Sequence, residues 1–158
     1  MASRHLEVLR SLPDVEVVAI SSRGGERLEK FAQDFGITQR FRNSEEMVKT
    51  VRPDALIVAV SASNVYDVAS WCIERGVSAL LEKPPGLTAA QTERLLEASK
   101  RVEGHYMVGL NRRFYSVVQN AKKLVDDSGG LVSVLVQYTE DMSAVRAASL
   151  HPPEVLQH

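Results

Sequence analysis

The sequence predicts an α/β protein built on a doubly wound parallel sheet, and three features of the chain indicate this class. Short runs of β-branched and apolar residues alternate at least four times with segments whose apolar residues recur at helical spacing. Glycines and prolines stand at the ends of many of these segments, where turns are expected. The 158 residues are 44% hydrophobic and 25% charged, which is typical of one globular domain with its own core.

The first third of the chain is predicted to contain helices whose ends are marked by particular residues. Pro13 ends the first helix, Gly36 suits the left-handed position after the second, and Asn43 with Glu46 resembles a capping box that opens the third. The β-branched runs between the helices are typical of buried parallel strands. The predicted elements are a helix over positions 6–12, a strand at 15–20, a helix at 28–35, a helix at 47–51 and a strand at 55–60.

The remainder of the chain continues the alternation until two adjacent glycines. Gly76 is expected to stop one helix, and Thr88 with Gln91 is expected to cap the next. The predicted elements are a helix at 65–73, a strand at 77–81, a helix at 88–102, a strand at 106–110, a helix at 114–125 and a strand at 131–139. Because the last strand has no following helix, the domain boundary is predicted at Gly129–Gly130, which gives domains 1–129 and 130–158.

Composition excludes several classes of function. A formal net charge of -1 gives no basic excess, so neither nucleic acid nor an anionic membrane is expected as a partner. No apolar run approaches the roughly 20 residues that span a bilayer, and no signal-peptide core is present. The single cysteine, Cys72, lies on the apolar face of its helix, which favours a buried inert thiol. Together these features predict a cytoplasmic protein. A metal site is not expected, because the four histidines lack ligand spacing.

The most informative segment follows the predicted strand at 77–81. Two consecutive prolines disfavour further strand or helix, so the strand is expected to end near Glu82. Lys83 then lies at the carboxyl edge of the sheet, which is where ligands bind in open α/β sheets. The alternatives are a solvated lysine in a proline turn and, for Glu82, an ordinary turn carboxylate.

Two motifs in this frame carry a resemblance to a known family. The first is Glu82-Lys83-Pro84, and the second is the stretch at 109–114, Gly-Leu-Asn-Arg-Arg-Phe, after the following strand. In order and spacing, the chain resembles the Gfo/Idh/MocA family of nicotinamide-dependent sugar and polyol oxidoreductases over roughly residues 4 to 139. The resemblance implies that Lys83 hydrogen-bonds a substrate hydroxyl and stabilises charge or relays a proton.

The same resemblance implies which residues contact the cofactor. Glu82 and Pro84 are expected near it, and Asn111 and Arg113 are expected near the cofactor and the domain junction. Asn111 as a simple helix cap remains an alternative, an exposed structural role for Arg113 is equally favoured, and Phe114 is expected in the core. In the loop before the helix at 65–73, Ser61 and Asn64 are expected to touch the cofactor.

Cofactor preference is predicted from the residues after the strand at 15–20. Dinucleotide folds that prefer NAD carry an acid there, whereas a neutral residue followed by arginine suits the 2′-phosphate of NADP. Ser22 and Arg23 therefore favour NADP(H), with NAD(H) as the alternative. The alternative for Arg23 is an exposed loop residue.

Two departures from the family pattern shape the functional prediction. No G-x-G-x-x-G turn is present, so the first strand and the pyrophosphate loop are expected to be missing, and the resemblance implies that most of the substrate domain is missing as well. The predicted function is hydride transfer between NADP(H) and a sugar- or polyol-like alcohol, impaired or inactive in this short chain, with cofactor binding lost as one outcome. The alternative is a non-catalytic binding or oligomerisation module of the same fold.

A missing central strand would leave two strand edges without partners. Each unpaired buried backbone group costs about 1–3 kcal/mol, so the flanking strands must pair with each other or with another chain. The strand at 131–139 has the same need, and a homo-oligomer formed through it is predicted.

Overall fold

The described residues, 1–135 and 137 of a computed structural model, alternate helices and short strands as the sequence predicts. The helices are α1 (Ala2–Leu9), α2 (Gly25–Asp34), α3 (Ser44–Val51), α4 (Ala62–Glu74), α5 (Ala89–Ser99) and α6 (Ser116–Asp127), with a 3₁₀ turn at Asn111–Phe114. The strands are β1 (Ala19–Ser21), β2 (Gln39–Phe41), β3 (Leu56–Val58), β4 (Ala79–Leu81) and β5 (Tyr106–Val108). The α/β class is confirmed.

The chain forms two compact units, of which the first ends at Ala59 and the second begins at Val60. Within the first unit, β1 pairs with β2 in parallel, and Ser21 lies opposite Phe41. Within the second unit, β4 pairs with β5 in parallel, and Leu81 lies opposite Val108. Parallel neighbours need a crossover connection, and α2 and α5 each lie in the segment that joins such a pair.

The strands are shorter than predicted. The two strands expected to flank the missing first strand, β1 and β3, do not pair with each other in the described residues. Strands β1 and β3 belong to different sheets, one of two strands and one of three, so direct pairing between them is not seen among the described residues. Of the predicted strand at 15–20, only the carboxyl-terminal end pairs with a neighbour, as part of β1. Its only hydrogen-bonded neighbour in the described ranges is β2, which has three residues and leaves positions 15–18 without a ladder partner.

Each unit has its own buried apolar residues. In the first unit, Leu28 and Ala32 of α2 and Met47 of α3 are buried, as the helical spacing predicts. In the second unit, α4 contributes its apolar face, and α4 contacts both α5 and β4. The buried apolar side chains among the described residues of the second unit are those of Val65, Ala69, Cys72, Ile73, Ala79, Leu81 and Leu95.

Three predicted helix ends are confirmed, at Asn43, Thr88 and Gly36, whereas α1 ends at Leu9, before the predicted end at Pro13. The Asn43 Oδ1 atom accepts from the backbone N–H groups of Glu45 at 2.8 Å and Glu46 at 3.1 Å. The Thr88 Oγ1 atom accepts from the N–H of Gln91 at 3.2 Å. Gly36 has the left-handed backbone conformation after α2, with φ of 62°.

The last described segment differs from the prediction. Helix α6 forms, but most of its apolar residues are exposed: Val117 is 69% and Leu124 is 67% exposed. Phe114, expected in the core, is 66% exposed, because this segment has few contacts outside itself. Residues 131–135 are exposed and form no strand, and 136, 138 and 139 lie outside the described residues. The domain boundary at 129/130 stays a prediction.

None of the helices in the described ranges combines the length and the apolar character that a bilayer crossing requires.

Candidate functional site

The carboxyl ends of β4 and β5 lie side by side in the second unit. The N–H of Gly109, the residue after β5, donates to the carbonyl oxygen of Leu81, the last residue of β4, at 2.8 Å. The segments that begin at Glu82 and at Leu110 therefore leave the sheet from the same edge. The predicted position of Lys83 at the carboxyl edge of a parallel strand is confirmed, whereas its chemical role stays a prediction.

Glu82 and Lys83 occupy different environments although they are adjacent. Glu82 is 8% exposed and accepts a hydrogen bond from the backbone N–H of Lys83 at 3.3 Å. The Lys83 side chain is exposed, and no carboxylate in the described part of the chain forms an ion pair with it. The peptide bond between Lys83 and Pro84 is cis. The result is an ammonium group available to a ligand next to a buried, anchored carboxylate.

A compact turn connects this segment to α5. The Gln91 side chain accepts from the N–H of Leu87 at 2.7 Å, while the Gln91 N–H donates to Thr88. Gly86 is buried, and a Cβ atom placed on it would lie 2.7 Å from the Cβ of Gln91. The packing therefore fixes the path of the backbone three residues after Lys83.

Ser61 and Asn64 stand at the start of α4 and bond to each other. The Asn64 Nδ2 group donates to the Ser61 Oγ atom at 2.6 Å, and the Asn64 N–H donates to the Ser61 carbonyl at 2.8 Å. Because Val65 beside them is fully buried and α4 contacts β4, the pair is held on the body of the second unit. Cofactor contact by these two residues stays a prediction.

Asn111 and Arg113 lie in the 3₁₀ turn after β5. Asn111 is the first residue of this turn, whose N-cap is Leu110, and the N-cap of α6 is Tyr115, so Asn111 occupies neither capping position. The Arg113 guanidinium stacks over the Phe114 ring at 5.5 Å from its centroid, and the Gln119 side chain donates to the Arg113 carbonyl. Asn111, Arg113 and Phe114 are all exposed.

Ser22 and Arg23 lie at the carboxyl edge of the β1–β2 pair in the first unit. The Ser22 N–H donates to the Phe41 carbonyl at 3.1 Å, which extends the ladder by one bond. The Ser22 Oγ atom accepts from the N–H of Gly24 at 3.4 Å, a long bond that leaves its hydroxyl hydrogen available. Both side chains are exposed, and neither carries negative charge.

The sequence prediction missed Arg42, which directly follows β2 at this same edge. Its guanidinium lies against Gly25, since a Cβ atom on that glycine would be 2.6 Å from Arg42 Nη2. The signal was the register of the parallel pair: Ser21 opposite Phe41 makes position 42 the neighbour of position 22. That register cannot be read from single-strand patterns.

Three titratable groups in the described residues have displaced pKa values. A side-chain hydrogen bond with Lys100, together with the Lys100 charge, lowers the pKa of Glu97 on the surface of α5. The other two groups are Cys72 and Tyr106. Burial raises the pKa of the Cys72 thiol from 9.0 to about 11, and the nearby Arg75 charge offsets this only in part. Burial also raises the pKa of Tyr106, with a further contribution from the Cys72 thiolate charge. A buried thiol with a raised pKa is a poor nucleophile, as predicted.

In the parts of the chain that the structure describes, no three His, Cys, Asp or Glu side chains are arranged to hold a metal ion.

Comparison with known proteins places these features in a family. The sequence model GFO_IDH_MocA, described as "Oxidoreductase family, NAD-binding Rossmann fold", matches residues 1–110. The chain is 30% identical over 119 residues to trans-1,2-dihydrobenzene-1,2-diol dehydrogenase of Xenopus tropicalis, covering 74% of this chain and 36% of that protein. It is 25% identical over 123 residues to myo-inositol 2-dehydrogenase of Thermotoga maritima, covering 78% and 37%. It thus spans little more than a third of these relatives.

Solved structures give the same fold. The WlbA dehydrogenase from Bordetella pertussis, solved in complex with NADH and UDP-GlcNAcA, superposes with a TM-score of 0.75 at 20% identity, covering 80% of this chain and 39% of that one. Identity at this level shows the fold alone. Because the family model matches well over half of the sequence, this chain belongs to the Gfo/Idh/MocA oxidoreductase family with the NAD-binding Rossmann fold.

Proposed function

We propose that the protein takes part in hydride transfer between NADP(H) and a sugar- or polyol-like alcohol. The observation that supports this most is the exposed Lys83 ammonium at the carboxyl edge of β4, beside the end of β5. Ligands bind at this edge in open α/β sheets. Relatives that act on a polyol, such as myo-inositol 2-dehydrogenase, support the substrate class.

The residues that follow β1 fit the 2′-phosphate of NADP(H). The edge formed by Ser22 and Arg23 has no carboxylate that would repel a 2′-phosphate, and it offers a hydroxyl and a guanidinium. NADP(H) is therefore favoured over NAD(H). No G-x-G-x-x-G sequence, the usual pyrophosphate-binding turn, occurs in the 158 residues.

Lys83 is proposed to act on the oxygen of the reacting alcohol. When bound, the nicotinamide would supply or accept the hydride. The Lys83 Nζ would hydrogen-bond the substrate oxygen and hold or relay the proton that this oxygen loses or gains. The Glu82 carboxylate, which accepts from the Lys83 backbone N–H, would fix the backbone from which that amine extends.

Further polar residues are proposed to position the cofactor. Ser61 and Asn64 would present a preformed hydroxyl–amide pair at the start of α4. Asn111 and Arg113, on the turn after β5, would contribute an amide and a guanidinium near the same edge of the second unit. Pro84 would contribute by shaping the turn after Lys83.

The test combines cofactor binding with one variant. We expect NADPH fluorescence to increase and the thermal unfolding midpoint to rise on addition of NADPH. Lys83→Ala should retain this binding and lose NADP-dependent oxidation of a panel of polyols and sugars. Lys100→Ala is the matched control, because Lys100 is paired with Glu97 on the surface of α5. Normal turnover by Lys83→Ala would contradict the proposed role.

The second candidate function is a non-catalytic binding or oligomerisation module. The exposed apolar residues of α6, together with exposed Leu131 and Leu135, favour it. A homo-oligomer through residues 131–139 and a cytoplasmic location both remain predictions. Absence of any response to millimolar NADPH would support the module, and a monomeric mass in light scattering at micromolar concentration would contradict the oligomer.

A further inference from the structure

We infer that Arg42 is a determinant of cofactor specificity, reading the 2′-phosphate of an adenosine nucleotide together with Ser22 and Arg23. The inference rests on the proposed function and extends its binding site to a second strand. A residue that follows β2 would then help the residues that follow β1 to discriminate between phosphorylated and unphosphorylated ribose.

The backbone brings Arg42 to this edge. Ser21 and Phe41 are opposite each other in the parallel ladder, and the Ser22 N–H donates to the Phe41 carbonyl at 3.1 Å. The next residue on each strand, Ser22 and Arg42, therefore leaves from the same edge. Arg23 follows immediately on one side.

The Arg42 side chain lies against Gly25. A Cβ atom on Gly25 would be 2.6 Å from Nη2 and 3.3 Å from Cζ, so the guanidinium occupies the space that any larger residue would fill. Gly25 lies two residues after Arg23 and is the first residue of α2. The guanidinium is thus turned toward the segment that carries Ser22 and Arg23, rather than away along β2.

Neither arginine is neutralised by a neighbour. Carboxylates are close in sequence: Glu26 lies in the first turn of α2, and Glu45 and Glu46 lie in that of α3. Within the described residues none of them forms an ion pair with Arg23 or Arg42. Arg40 shows the contrast, because it is paired with Glu29 at 3.0 Å.

This set of groups matches a phosphomonoester on ribose. A guanidinium presents parallel N–H donors that pair with two phosphate oxygens, and a hydroxyl adds a third donor. An unphosphorylated ribose is read by a carboxylate that accepts from its hydroxyls, and none follows β1 here. Two guanidiniums therefore favour the 2′-phosphate and give nothing specific to the free 2′-hydroxyl.

The experiment compares two ligands that differ only in the 2′-phosphate: 2′,5′-ADP and 5′-AMP. Their dissociation constants are measured by calorimetry for the wild-type chain and four variants. We expect 2′,5′-ADP to bind more tightly to wild type. Arg42→Ala should weaken 2′,5′-ADP about tenfold or more, the usual effect of losing a charge-assisted hydrogen bond, and leave 5′-AMP nearly unchanged.

Three other variants separate charge from geometry. Arg42→Lys should restore part of the preference, because it keeps the charge without the two parallel donors. Gly25→Ala should reduce the preference with all charges intact, because its methyl group displaces the guanidinium. Arg40→Ala removes an equal charge from the same strand and should leave the preference intact.

Each contrary outcome has a separate meaning. Binding of 5′-AMP as tight as that of 2′,5′-ADP, or an unchanged preference in Arg42→Ala, overturns this inference while the proposed nucleotide site stands. Failure of wild type to bind either nucleotide overturns both. Competition by inorganic phosphate as strong as that by 2′,5′-ADP would indicate general anion binding and also overturn the inference.

Discussion

Replacement of Gly86 by alanine tests how rigidly the turn after Lys83 is packed. Gly86 is buried between Pro85 and Leu87, and its would-be Cβ lies 2.7 Å from Gln91 Cβ and 3.2 Å from the backbone nitrogen of Thr92. Both atoms belong to the first turns of α5. Because the nearest atoms are part of or attached to a helix backbone, they cannot rotate away as the end of a long side chain would.

The expected cost follows from this contact. Insertion of a methyl group into a well-packed site costs about 1–3 kcal/mol, through shifts of backbone and side chains. The shift would also strain the bond from the Leu87 N–H to the Gln91 side chain, which is 2.7 Å long. We therefore expect Gly86→Ala to lower the free energy of unfolding by about 2 kcal/mol.

Gly109, directly after the neighbouring strand β5, provides the matched control. Its would-be Cβ lies 3.5 Å from the Leu81 carbonyl oxygen, an ordinary van der Waals contact. Gly109→Ala should be neutral or stabilise by up to about 1 kcal/mol, because alanine reduces the entropy of the unfolded chain. Urea denaturation of both variants gives the comparison, provided that the dependence on urea concentration is unchanged. A Gly86→Ala protein as stable as Gly109→Ala would show that the turn is loosely packed and refute the reasoning.

Three further predictions concern a cap, a buried thiol and the proposed catalytic amine. Asn43→Ala should lower the free energy of unfolding by about 1 kcal/mol in urea, because two N–H groups of α3 lose their acceptor, whereas exposed Asn120→Ala should change it little. Burial raises the pKa of the Cys72 thiol from 9.0 to about 11, so this thiol ionises in the unfolded chain at a lower pH than in the folded chain. The free energy of unfolding should therefore fall as pH rises from about 9 towards 11. Cys72→Ala should lack that part of the pH dependence. If the free energy of unfolding changed with pH equally in Cys72→Ala and in the wild type, the burial of the thiol would be contradicted. Lys83→Ala should change stability by no more than about 0.5 kcal/mol, because the side chain is exposed, and a larger loss would indicate a structural role.

The elements set by local chemistry could be predicted from sequence. Asn43, Thr88 and Gly36 mark helix ends through hydrogen bonds or backbone conformations that depend on a few neighbouring residues, and all three are confirmed. The position of Lys83 is equally local, because prolines end β4 just before it. The burial of Cys72 follows from helical spacing.

Features that depend on a distant partner could not be predicted in the same way. Strand lengths were overestimated, since β-branched runs show the capacity for pairing but not how many partners are present. Phe114 and the apolar face of α6 were expected to be inside, because periodicity identifies an apolar face without identifying what covers it. Arg42 was missed because its place beside Ser22 depends on the register of β1 with β2.

The most direct test of the proposed site is an amide NMR titration of the chain with NADP⁺. The proposal predicts shifts concentrated at residues 22–25 and 42 in the first unit and at 61–64, 82–84 and 109–113 in the second. Absence of shifts at millimolar NADP⁺, or shifts confined to residues away from the carboxyl ends of the strands, would contradict it.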